Sequence, residues 1–319
     1  AKELNNHIVV CSECYTRDCY ILKLDIRSFF MSIDKTILYQ MLHEFIDDNY
    51  HLPDKPILLR LIKQIVFNNP EDNCIIKGRR ADWNGLPCHK SLFWSARNCG
   101  LPIGNLTSQI FANFYLDRLD KYITEELGFR HYVRYVDDFV LVHQDKEELL
   151  AARQKIDSFL RLRLKLNLHP LKFYLQHYSK GVKYIGAVIK PNRIYIGNRS
   201  KGNLYDKVHK MVAQMSHSLQ DTFSGLNKLM ACVNSYIGLM RHYNTYRLRC
   251  RILQKIDQTF LGEALELDPK ASKLVVHKLF RPLEQKKSQL RRQKQGRRRR
   301  NRILLMNKTK RKGGKNGNV

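Results

Sequence analysis

Apolar and polar residues alternate with period two through Tyr20-Ile21-Leu22-Lys23-Leu24-Asp25-Ile26. That pattern puts Leu22, Leu24 and Ile26 on one face and Lys23 and Asp25 on the other, as in a short buried strand. The period then changes. Asp34 is placed to cap a helix whose apolar positions are Ile37, Leu38, Met41, Leu42, Phe45 and Ile46. After Pro53 and Pro56 a second helix is predicted through Leu58, Leu61, Ile62, Ile65 and Val66. Residues 68–102 carry no period. They hold Pro70, Gly78, Gly85, Pro87, Gly100, Pro102 and both tryptophans, Trp83 and Trp94. Their basic residues suit either a polyanion contact or a solvated loop.

Helical spacing returns at Ile110, Phe111, Phe114, Tyr115, Leu119, Tyr122, Ile123 and Leu127, with Thr107 or Ser108 as the expected cap and Gly128 as the stop. A hairpin follows: β-branched and aromatic residues from His131 to Val142 flank Asp137-Asp138, so both aspartates are expected at its tip. Further elements are a helix over 146–168, strands at 170–174 and 182–189, and a pairing segment at Tyr195-Ile196. Helices follow over 204–219, 223–239 and 245–261. The pattern is α+β to about residue 198 and all-α beyond it.

Charge changes this picture. The 319 residues carry a net +28, and 15 Lys or Arg against the single acid Glu284 fall in residues 284–319. A balance this basic calls for a polyanionic partner, with nucleic acid the first candidate and an anionic membrane surface the second. The tail is nearly empty of core residues and is expected to be disordered alone. No apolar run reaches the roughly 18 residues of a spanning helix, and no signal peptide opens the chain. The expectation is therefore a soluble, intracellular protein with no membrane partner. Eight irregularly spaced cysteines favour free thiols, although Cys11-x-x-Cys14 has the spacing of half a zinc site.

Adjacent carboxylates repel unless a cation or proton sits between them, so Asp137-Asp138 is either an ordinary turn or half of a cation site. Asp25 is the third carboxylate to consider. If its strand neighbours the hairpin, three acids converge and suit two Mg²⁺ ions, which take oxygen ligands.

Three segments in order, Leu24-Asp25-Ile26-Arg27-Ser28-Phe29-Phe30, Gly104-Asn105-Leu106-Thr107-Ser108-Gln109 and Tyr135-Val136-Asp137-Asp138, resemble reverse transcriptases. Lys172 matches the lysine of the following motif, and Tyr184-Ile185-Gly186 resembles the primer-grip turn. The resemblance covers about 25–190. It implies an RNA-directed DNA polymerase with a right-hand palm (21–198), a remnant of fingers (1–20), an inserted fingers segment (about 52–102), a helical thumb (199–283) and a basic tail (284–319).

It also implies roles. Asp25, Asp137, Asp138 and the Ile26 carbonyl would hold two Mg²⁺ ions. Ser28 and Phe29 would meet the triphosphate through their backbone. Phe30 matches the gate against a ribose 2′-hydroxyl. Ile103, Gln109 and Lys172 would lie at the incoming nucleotide. Template RNA, primer, cDNA and dNTPs are the implied partners.

The Ile103-Gly104 to Ser108-Gln109 box is similar to that of diversity-generating retroelements rather than the Q-G-x-x-x-S-P box of group II intron and retron enzymes. This implies error-prone copying of a template repeat in a bacterial or phage-derived setting, with a small pentameric accessory variability protein. A group II intron-like or retron enzyme, or a non-catalytic RNA-binding relic, are the alternatives. Only 24 residues precede Asp25, fewer than the family's fingers need. The resemblance therefore implies an N-terminally truncated fragment, weak or inactive on its own.

Overall fold

The structure, a computed structural model, describes residues 1–215, 222–257, 265–268, 270 and 272–277. It divides into two compact units, Ala1–Ile194 and Tyr195–Val319.

In the first unit, α1 (Lys2–Cys11) precedes β1 (Tyr20–Asp25), and a single turn, α2 (Phe29–Ser32), leads to α3 (Lys35–Asn49) and α4 (Lys55–Val66). Asp34 caps α3 as expected, accepting from the backbone N–H groups of Thr36 and Ile37 at 2.9 and 3.1 Å. Residues 70–94 form only short 3-10 turns. Then come α5 (Leu106–Lys121) with a π-helical turn at Tyr122–Glu126, β2 (Tyr132–Tyr135), β3 (Asp138–His143), α6 (Lys146–Leu164) and β4 (Tyr174–His177). A second sheet has the order β5 (Val182–Tyr184), β6 (Ala187–Lys190), β7 (Arg193–Ile196).

The main sheet runs β2-β3-β1-β4, with β1 antiparallel to both neighbours. Its two faces differ. Leu22 and Leu24 of β1, Ile26 just past its end, and Phe139 and Leu141 of β3 point into the larger core, built with Leu38, Leu42, Tyr115, Leu119, Ile156 and Leu160. The opposite face carries Ile21 beside Val140 and Val142, buried with Leu4 and Ile8 of α1 and Val182, Tyr184 and Ile189. By the period of two, Lys23 and Asp25 follow Ile21 on this second face. That face is therefore apolar at one end and charged at the other.

Several expectations are corrected. α6 stops at Leu164, four residues early, where Lys165 turns left-handed (φ 51°); its ammonium pairs with Asp34 at 2.8 Å. The strand expected at 170–174 lies at Tyr174–His177, where it pairs with β1. The apolar run 182–189 is a hairpin, turning at Ile185 (φ 47°) and Gly186 (φ 72°), the left-handed pair that a type I′ turn needs. Ser108 is buried and makes no cap; Asn105 holds that position without a side-chain bond. Phe45 and Ile110 lie largely outward, 53% and 57% exposed, Phe45 with its ring edge-on against Phe114 of α5. Gly128 is left-handed (φ 74°) as a helix stop should be, and the Phe129 N–H reaches back to the Ile123 carbonyl at 3.1 Å.

In the second unit, α7 (Asn198–Met215), α8 (Thr222–Met240) and α9 (Tyr246–Asp257) form a separate core of Leu204, Leu229, Val233, Ile237 and Ile252. Beyond the helices, β8 (Leu265–Leu267) pairs antiparallel with β9 (Leu274–Val276), so this half is not purely helical. The helix ends expected at residues 219 and 261 and the basic tail 284–319 lie outside the described residues. No described helix is long and apolar enough to cross a membrane.

Candidate active site

Register sets the site. Along β1 and β3 the pairs run Tyr20↔His143 to Asp25↔Asp138, so the last residue of one strand faces the first of the other. Opposed residues in an antiparallel pair hold their Cβ atoms about 4.5–5.5 Å apart. Asp137 lies one residue earlier, in the two-residue turn between β2 and β3. The hairpin tip thus presents Asp137, while Asp138 belongs to the strand. The Ile26 N–H donates to the Asp137 carbonyl at 3.2 Å and ties the turn to the end of β1.

On the other side of β1 the last ladder pair is Lys23↔Tyr174. Lys172 lies two residues before Tyr174, outside the ladder, and its side chain reaches Asp25. Its ammonium donates to both carboxylate oxygens of Asp25, at 3.0 and 2.9 Å. Ile26 bridges to Leu168. The hydrogen bonds there run from Arg27 N–H to the Asn167 carbonyl (2.9 Å) and from His169 N–H to the Asp25 carbonyl (2.7 Å). The Ile26 carbonyl takes part in neither.

Sequence reasoning missed two cations. Lys23 reads as a solvent-facing strand residue, yet it donates to Asp138 Oδ2 at 2.8 Å and to the Lys183 carbonyl at 3.1 Å. Its place on the Asp25 face, two residues away, is the signal that was present. Arg134 is the second. Its Nε meets Asp120 Oδ1 at 2.7 Å, and a second guanidinium nitrogen meets Asp120 Oδ2. The third nitrogen donates to Asn113 Oδ1 and the Val136 carbonyl, both at 3.1 Å. Tyr132 adds its hydroxyl to Asp120 at 2.7 Å. Val136 is left-handed (φ 58°), which costs a non-glycine residue about 1–2 kcal/mol. Arg134 therefore anchors a strained turn to α5.

Electrostatics follow from burial and crowding. Burial pushes the Asp137 carboxyl above the usual range; the charges of Asp25 and Asp138 add to this and Lys172 opposes it. Asp138 is also raised, first by burial and then by Asp25, with Lys23 working against it. Asp138 Oδ1 is buried and has no hydrogen-bond partner. Without a partner among the described residues, that buried carboxylate oxygen is suited to a cation. Among the described residues no three His, Cys, Asp or Glu side chains form a preset cation site. Lysines engage Asp25 and Asp138 instead.

The other expected site residues fall around this cluster. Ser28 is left-handed (φ 50°) just before α2, Phe29 is buried, and the Phe30 ring is half-buried edge-on to Phe29. The Phe30 carbonyl accepts from Leu101 N–H at 2.8 Å, which brings the 102–104 turn alongside Phe30. Ile103 is 70% exposed there, and Gln109 is exposed on the first turns of α5. No described hydrogen bond joins either of them to the aspartates. Tyr184 is buried, its ring centroid 5.9 Å from the Lys23 ammonium, while Ile185 and Gly186 are exposed. A cavity of about 580 Å³ opens beside Asp25, with Lys23, Lys172, Lys180, Lys183 and Lys190 in its wall.

A family model described as reverse transcriptase (RNA-dependent DNA polymerase) matches residues 7–189. The chain belongs to the reverse transcriptase family. A search of curated proteins finds no match. Among solved structures it is similar to apo telomerase from Candida tropicalis (13% identity, TM-score 0.48, 80% of this chain and 48% of that one). The same enzyme truncated from its C-terminal domain also matches (15%, TM-score 0.46, 61% and 40%). So does telomerase from Candida albicans in complex with a TWJ fragment of telomeric RNA (11%, TM-score 0.41, 81% and 46%). The chain spans less than half the length of each of these telomerase chains. The matched family segment contains Asp25, Asp137, Asp138, Lys23, Arg134 and Lys172.

Proposed function

We propose that this member of the reverse transcriptase family is an RNA-directed DNA polymerase, and that it copies a template-repeat RNA into error-prone cDNA for mutagenic retrohoming. The observation that carries the polymerase reading is the direct apposition of Asp25 and Asp138 in the β1–β3 register, with Asp137 on the adjoining turn. In this reading residues 21–198 are the palm, with a fingers segment inserted at about 52–102 and a fingers remnant at 1–20; 199–283 are the thumb. The basic tail adds charge for nucleic acid.

The cofactor is two Mg²⁺ ions. Asp25, Asp137, Asp138 and the Ile26 carbonyl are the residues to hold them, and the orphaned Asp138 Oδ1 supports that assignment. When bound, they supply Lewis-acid activation of the primer 3′-hydroxyl and charge neutralisation on the leaving pyrophosphate. The chain's own residues do the rest by positioning. Lys172 leaves Asp25 to meet the triphosphate, Ser28 and Phe29 contact it through their backbone, and the Phe30 ring fills the space a ribose 2′-hydroxyl would need. Tyr184, Ile185 and Gly186 support the primer end.

The retroelement subtype rests on the box from Ile103 to Gln109. An exposed apolar side chain at Ile103 offers no hydrogen bond to an incoming nucleotide, which loosens selection. Partners are template RNA, primer or cDNA, dNTPs and a pentameric accessory variability protein, in a bacterial or phage-derived cytoplasm. The test is Mg²⁺-dependent primer extension on an RNA template, with the products sequenced. Extension should vanish in Asp137→Ala, and errors should concentrate opposite template adenine. Extension that survives Asp137→Ala sinks the polymerase site; errors spread evenly over the four bases sink the subtype.

A further inference from the structure

Lys23 connects the two sheets of the first unit. It stands on β1 two residues before Asp25, on the same face. Its partner Asp138 is a diagonal neighbour across the β1–β3 pair, since Lys23 itself is opposite Val140. A long side chain spans that diagonal easily. The same ammonium donates to the backbone carbonyl of Lys183 in β5, next to Tyr184. Its side chain is only 25% exposed, and two of its three N–H donors are committed.

Two consequences follow. The hairpin that carries Tyr184, Ile185 and Gly186 is tied to a catalytic carboxylate through one nitrogen. Lys23 also places a positive charge on one oxygen of Asp138, while the other oxygen is without a partner. With Lys172 on Asp25, the three carboxylates face two ammonium groups, leaving one net negative charge; without Lys23 there are two. Attraction for a divalent cation grows with that charge.

We propose that Lys23 is a positioning residue, a built-in counter-cation that holds Asp138 against the β5–β6 hairpin and lowers the site's affinity for divalent ions. The role in turnover rests on the polymerase reading, but the binding it predicts is measurable without it.

The experiment titrates Mn²⁺ into the full chain without nucleic acid, following free Mn²⁺ by electron paramagnetic resonance. Melting is measured in parallel, in chelator and in Mn²⁺. Lys23→Met keeps the length and removes the charge; Lys23→Arg keeps the charge. Lys23→Met should bind Mn²⁺ about two- to fivefold more tightly, the scale of one partly screened ion pair. It should melt below wild type in chelator and close that gap in Mn²⁺. Lys23→Arg should bind Mn²⁺ as wild type does. A merely structural lysine would lower stability without tightening metal binding, so unchanged or weaker affinity in Lys23→Met overturns the proposal. Should that variant not fold, Lys23→Gln, which can still donate to the Lys183 carbonyl, carries the same affinity prediction. Primer extension separates the two readings: tighter binding in a chain that never extends a primer removes the polymerase and leaves the counter-cation. Extension by wild type with unchanged affinity in the variant does the reverse.

Discussion

Replacing Arg134 with Met should destabilise the β2–β3 hairpin by several kcal/mol, on the scale of about 3–4. The guanidinium side chain is 11% exposed and its partner Asp120 30% exposed. Removing one member of a fully buried ion pair costs about 3–5 kcal/mol. Because water still reaches Asp120, about 2–3 kcal/mol is the better figure. Arg134 also holds the Val136 carbonyl at 3.1 Å, where Val136 is left-handed. Losing that bond adds about 1 kcal/mol. The total of about 3–4 kcal/mol translates into a fall of about 6–15 °C in Tm for a unit of this size. Urea and thermal denaturation of wild type, Arg134→Met, Asp120→Asn and the double variant form the assay. The double variant no longer leaves a bare carboxylate, so the two losses should overlap by at least about 1 kcal/mol. Arg134→Lys should recover only part of the loss, because an ammonium cannot reproduce the two-pronged contact. A Tm within about 2 °C of wild type in Arg134→Met, or strictly additive losses, would refute the reasoning.

Asp137→Asn should stabilise the metal-free protein in a pH-dependent way. The folded state raises the Asp137 pKa, chiefly by burial, so ionising it costs folding free energy. That cost is absent below the ordinary aspartate value near about 4 and complete above the raised one. The Tm gain of the variant over wild type in chelator should therefore grow from pH 4 to pH 8; a gain that ignores pH would disprove the account. Ile103→Gln restores a hydrogen-bonding side chain at the exposed 102–104 turn and should lower the error rate opposite template adenine. Sequenced extension products from the two proteins would decide it, an equal error rate removing Ile103 from the explanation.

The sequence was most legible where one period or one cap decided the structure. Alternation through residues 20–26 separated the core face of β1 from the face bearing Asp25, and Asp34 announced the start of α3. The turn before Asp138 was visible as composition, but not that Asp138 would enter the strand, since register depends on a partner 113 residues away. Arg134 gave no sign of its contacts in the sequence, and Lys23 only its place on the Asp25 face, for a common reason. A charged residue on a strand is ordinarily solvated, and only the tertiary placement of Asp138, Lys183 and Asp120 gives these two their roles. The run 182–189 hid its turn because Ile185 is apolar, although Gly186 beside it was the available cue. The early end of α6 coincides with a left-handed Lys165, whose ammonium meets Asp34, a contact across 131 positions that no local propensity contains.

The pairing of Asp25 with Asp138 also divides the gene into regions of unequal tolerance. Strand periodicity is two, so deleting or inserting a single codon within β1 or β3 would turn one aspartate to the opposite side of the sheet and send an aliphatic neighbour out in its place. The 70–94 segment has no such parity, being exposed and joined by short 3-10 turns, and in-frame changes of one or two codons there leave the carboxylates where they are. A library of single-codon deletions should therefore read out as a lesion map that is sharp across 20–25 and 138–143 and shallow across 70–94.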